Sequence, residues 1–179
     1  HQQMDLFQKS PMGRVFGFTP WIVRSVGFFC LMGSGFLMLR IFKSLADEMK
    51  IKIHPSYEIL LWFTALVSPL AISSALIVDF DNTVLLFVTS LFFYTLVWLR
   101  QFENPKPSMS TLVLILGAMM ALCLMGKETT PILYPVAVLM VFRSAQVTAL
   151  AALVQWGLFL VVSWLWFIIF GLEMIPLAR

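Results

Sequence analysis

The chain has 179 residues, of which 60% are hydrophobic and 12% charged, with a formal net charge of +3. A soluble domain carries about 25% charged residues, and at a mean hydropathy of +0.93 a globule of this size cannot hide its apolar surface. These values exclude a water-soluble enzyme. The lack of a basic stripe interleaved with aromatics on a polar surface excludes nucleic-acid binding.

Long uncharged runs define the class: Ile59–Val78, Asn82–Leu99, Pro107–Gly126 and Ser144–Leu172. A membrane crossing needs roughly 20 apolar residues as a helix. A β-barrel would alternate over segments of about ten, and these runs do not alternate. The expected fold is all-α: a polytopic transmembrane bundle of five to six spans in one integral membrane domain. The expected spans are 20–39, 57–78, 83–99, 109–126, 129–142 and 146–170.

Residues Asp5 to Phe18, broken by Pro11, read as a segment near the interface. Pro20 suits a first helical turn, where a missing N–H costs nothing, and Trp21 suits the headgroup level. The first span then runs to Leu39. Arg24 snorkels from it, and Gly27, Leu31 and Ser34 share one face. Phe42, Leu45, Met49 and Ile53 recur at helical spacing between Lys43, Asp47 and Lys50. This predicts a separate short amphipathic helix in the interface plane.

The second span, Tyr57 to Val78, contains Pro69, which removes a backbone hydrogen bond and predicts a bend. The acidic turn Val78 to Asn82 follows, with Asp79 and Asp81. Its bland reading is a solvated turn, and its functional reading is a weak cation or basic-partner site. The third span ends with Tyr94 and Trp98 as interface anchors. The loop from Arg100 to Ser108 is solvated, and the fourth span carries Gly117 and Ala121 one turn apart, a point of close helix approach.

Thr129 to Phe142 is the hardest segment to place. As a helix it measures roughly 21 Å, short of a roughly 30 Å core. Glu128 and Arg143 flank it, Pro131 fits a first turn, and Pro135 predicts a bend. Ser144 to Gln146 leaves no room for a second arm, so a single oblique crossing is preferred to a re-entrant dip. In the final span Ser144, Thr148, Ala152 and Gln155 share one face, which is expected to point at protein. Gln155 is the strongest polar group deep in any span. It reads either as an interhelical hydrogen bond or as a substrate contact.

Chemistry is sparse. The histidines, His1 and His54, lie outside the spans and supply no axial pair for haem. No HExxH motif, P-loop or GxSxG is present, and Cys30 and Cys123 form no CxxC pair. No catalytic residue, cofactor or metal ligand is therefore assigned. With the amino terminus outside, Arg40, Lys43, Lys50, Lys52, Arg100 and Lys106 face in, a slight positive-inside excess.

The preferred expectation is a non-catalytic integral subunit or assembly component of a larger membrane complex, in a bacterial inner membrane. Its partners would be the lipid bilayer and other membrane subunits, or further copies of itself. A second expectation is a small oligomeric transporter or channel with a path near Pro69, Pro135 and Gln155. A third is an interfacial lipid-modifying enzyme using Asp79, Asp81, Glu128 or Arg143.

Overall fold

Helices fill the uncharged runs. The computed structural model describes residues 20–67, 80–101, 107–127 and 131–174, with side chains at 25–64, 83–101, 107–127 and 131–169. Among these residues there are six helices and no strand: α1 Pro20–Glu48, α2 Pro55–Val67, α3 Phe80–Gln101, α4 Met109–Gly126, α5 Leu133–Phe142 and α6 Ala145–Met174. Four are long and apolar enough to cross a membrane, over Ser25–Glu48, Thr83–Gln101, Met109–Gly126 and Ala145–Ile169. The expected interfacial segment at 5–18 and the bend at Pro69 lie outside the described residues.

The first span does not stop at Leu39. α1 is one helix of 29 residues, roughly 43 Å long, so Phe42 and Leu45 extend it instead of opening a separate interfacial helix. No proline or glycine occurs between Phe36 and Glu48 to break its hydrogen-bond ladder. It ends in a Schellman turn: Ile51 N–H donates to Ala46 C=O at 2.8 Å and Lys50 N–H to Asp47 C=O at 3.0 Å. Lys50 takes the left-handed conformation, φ 58°, a position glycine usually fills.

Contacts along the helices fix their directions. Glu58 pairs with Lys43 at 2.7 Å, and the Trp62 ring seats on Gly35, so α2 runs antiparallel to α1. Phe87 packs on Gly33, while Arg100 pairs with Glu48 at 2.6 Å and Gln101 donates to Ser44. Residue numbers rise together in both helices, so α1 and α3 are parallel. α4 runs back along α3: Cys123 Sγ lies 3.8 Å from Val88 C=O, and Leu85 covers Gly126.

The ends are capped locally. Ser108 Oγ accepts from Thr111 N–H at 3.2 Å to open α4. Arg143, left-handed at φ 50°, closes α5 by donating its N–H to Leu139 C=O at 2.7 Å. Ser144 Oγ then accepts from Val147 N–H at 3.3 Å to open α6. The chain therefore passes from α5 to α6 in two residues.

The core lies where α3, α4, α5 and α6 meet. It is built from Phe92, Leu96 and Leu99 of α3, Leu116, Met120 and Cys123 of α4, Tyr134 and Val138 of α5, and Val147 and Ala151 of α6. Among the described helices, α1 packs against α2 and α3 alone. The core residues of α3 fall at three- and four-residue steps, and another side of the same helix carries α1.

Candidate functional site

The seam between α4 and α6 holds the most unusual group in the bundle. Gly117 sets its spacing. A Cβ there would stand 2.5 Å from Val154 Cβ and 3.0 Å from Ala151 C=O, so only glycine lets the two helices approach this closely. The sequence places Ser144, Thr148, Ala152 and Gln155 on one side of α6; in the structure Ala151, not Ala152, is the fully buried alanine of that side. Ser144 caps the helix. Thr148 is half-buried and returns its hydroxyl to Ser144 C=O at 2.8 Å.

Gln155 is fully buried, at 0% exposure, and neither its Oε1 nor its Nε2 has a hydrogen-bond partner among the described residues. The contrast with the hydroxyls is physical. Ser34, Ser90 and Thr95 each donate to the carbonyl four residues back, at 2.7, 2.7 and 2.8 Å. A short hydroxyl can reach its own helix backbone in this way. The glutamine carboxamide brings two donors and an acceptor to an apolar interior, and its own helix satisfies none of them here. Among the described residues, Gln155 is also the last fully buried position along α6. Beyond it Leu160, Trp164 and Phe167 are exposed at 63%, 67% and 72%.

A second polar group of residues joins three helices. Tyr134 OH of α5 lies 3.2 Å from Thr89 Oγ1 of α3, and the same side chain bonds to Cys123 of α4. The Tyr134 ring meets Phe92 edge-on, with centroids 5.0 Å apart. This junction ties the shortest helix to the bundle. The sequence contained a signal for it: a buried tyrosine hydroxyl needs a partner, and Tyr134 stands in an otherwise apolar segment between two prolines.

Other expected positions fall as follows. Pro135 does not bend a helix. α5 begins at Leu133, so Pro135 stands in its first turn, where no intrahelical acceptor awaits its nitrogen. Pro131 belongs to the turn before it. Arg143 is exposed and has no carboxylate within ion-pair distance among the described residues. Asp81 falls in the first turn of α3, with its side chain outside the described residues, as are Pro69, Asp79 and Glu128. Among the described residues, no three His, Cys, Asp or Glu side chains come together as a metal cluster would require.

The fold and its surface define the class: an integral membrane protein built as a bundle of helices. Comparison with known protein families, curated proteins and solved structures finds no match to this chain.

Proposed function

We propose that this chain is a non-catalytic integral subunit or assembly component of a larger membrane complex, and that α6 is its docking helix. Buried Gln155 carries the reading. A carboxamide without partners inside an apolar bundle costs about 1–3 kcal/mol, a penalty that a partner supplying hydrogen-bonding groups would remove. Gln155 stands where the packed half of α6 gives way to the half that its own bundle leaves uncovered. A partner helix laid along Leu160, Trp164 and Phe167 would reach the edge of the seam. A serine, threonine, asparagine or glutamine on that helix would meet the carboxamide after a change in its side-chain torsions. Interhelical hydrogen bonds of this kind are worth about 0.6–2 kcal/mol in membranes, enough to select a partner without holding it alone.

Orientation follows the charges. Arg40, Lys43, Lys50, Lys52 and Arg100 belong to the end of the bundle where α1 and α3 finish, which supports placing that end in the cytoplasm. This fits a bacterial inner membrane.

The test is gentle extraction from the native membrane, with native mass determination and identification of co-purifying chains. A stoichiometric partner whose yield falls for Gln155→Leu is expected. Isolation of a defined homo-oligomer that moves a solute would overturn the reading and favour a carrier.

A further inference from the structure

We propose that the link between α1 and α2, residues 49–54, is a binding surface for anionic phospholipid headgroups. The proposal is independent of the subunit reading and rests on the membrane setting alone. At roughly 43 Å, α1 exceeds the roughly 30 Å hydrocarbon core. The charged side chains of Lys43, Asp47 and Glu48 assign the excess to its last turns, so the link after them lies at headgroup level.

The link reads Met49-Lys50-Ile51-Lys52-Ile53-His54, apolar and basic in alternation. Met49 and Ile51 are exposed at 63% and 54%, and Lys50 and Lys52 are exposed beside them. Exposed apolar side chains alternating with ammonium groups match the boundary between acyl chains and phosphates, where both kinds of group find partners. A soluble acidic partner would satisfy the lysines and leave Met49 and Ile51 in water, so a lipid is the better fit.

The local charges point the same way. Lys43 is paired with Glu58, and Arg100 with Glu48. Among the described residues, Lys50 and Lys52 have no carboxylate within ion-pair distance, and Asp47 is the one carboxylate nearby outside those pairs. The Schellman turn fixes the backbone of Lys50 through the bonds to Ala46 and Asp47. The first lysine is thus presented from an ordered turn and not from a loose loop.

The test uses the full chain in nanodiscs of phosphatidylglycerol and phosphatidylcholine, with native mass spectrometry of the lipids retained on extraction. The wild type should retain phosphatidylglycerol preferentially. Each lysine near an anionic surface contributes about fivefold in affinity at low salt, so Lys50→Gln with Lys52→Gln should lower that preference by roughly 30-fold. Added salt should lower it in the wild type as well. If the double variant misfolds, Lys52→Gln alone, outside the turn, should still cost about fivefold. Lys127→Gln, at the opposite end of α4, should change nothing. A wild type without preference, a double variant that keeps it, or an equal loss with Lys127→Gln would each overturn the proposal.

Discussion

Replacing Gln155 by leucine should stabilise the isolated protein and weaken it as a partner. The two side chains are close in volume, so the seam at Gly117 should hardly have to repack. Leucine removes a carboxamide that is 0% exposed and has no partner at either polar atom among the described residues. Relief of one buried unsatisfied group is worth about 1–3 kcal/mol. Purified wild type and Gln155→Leu would be compared by reversible denaturant titration, followed by tryptophan fluorescence, with partner yield from native membranes measured in parallel. The expected result is a change of sign: higher stability alone and lower yield of the complex. A leucine variant destabilised by more than about 1 kcal/mol in isolation would refute the reasoning, because it would mean that the chain already satisfies the amide. An unchanged partner yield would remove Gln155 from the docking surface.

The close seam predicts that Gly117→Ala destabilises by about 1–3 kcal/mol through overpacking, and that Val154→Ala in the same chain recovers part of the loss in a double-mutant cycle. Tyr134→Phe should cost about 0.5–1.5 kcal/mol, and Thr89→Val in that background should cost less than it does alone, since the two hydroxyls share one hydrogen bond. Glu48→Gln should shift stability by under about 1 kcal/mol, because its pair with Arg100 is exposed. Accessibility tags inserted after Lys127 and after Arg143 should report opposite sides of the membrane, and same-side labelling would show that residues 129–142 dip and return.

Fold class was readable because twenty-residue apolar runs admit few alternatives in a membrane. Helix ends were less so. The helical recurrence of Phe42, Leu45 and Met49 was real, but periodicity does not reveal whether a helix is new or continues the previous one. That depended on an unbroken backbone through Arg40, and on a left-handed Lys50 where composition suggests no stop. Pro135 misled for a related reason. A proline bends a helix only if residues four earlier are already helical, and here the helix begins two residues before it. On the site, the one-face arrangement of Ser144, Thr148 and Gln155 followed from spacing. The missing partner of Gln155 did not, because satisfaction depends on what the neighbouring helix offers. Tyr134 signalled that a hydroxyl partner was needed, but the Thr89–Tyr134–Cys123 junction joins residues from three separate helices, and no local pattern names those partners.

The parallel course of α1 and α3 constrains the whole topology. Two consecutive long helices that run the same way require the chain between them to return to the opposite end, and α2, antiparallel to α1, begins that return. α4 then comes back along α3. α5 starts well inside the bundle: Tyr134 reaches Thr89 and Phe92, roughly 9 and 14 Å along α3 from Thr83. The ten residues of α5 cover about 15 Å, close to what remains between that depth and the end of α3 at Gln101. On this argument the short helix need not span the bilayer by itself. α6 then begins level with Met109, which brings Val154 to the depth of Gly117, the contact observed. The same register sets α4 and α6 parallel, with Gly117 and Val154 each about a dozen ångströms from the start of its helix.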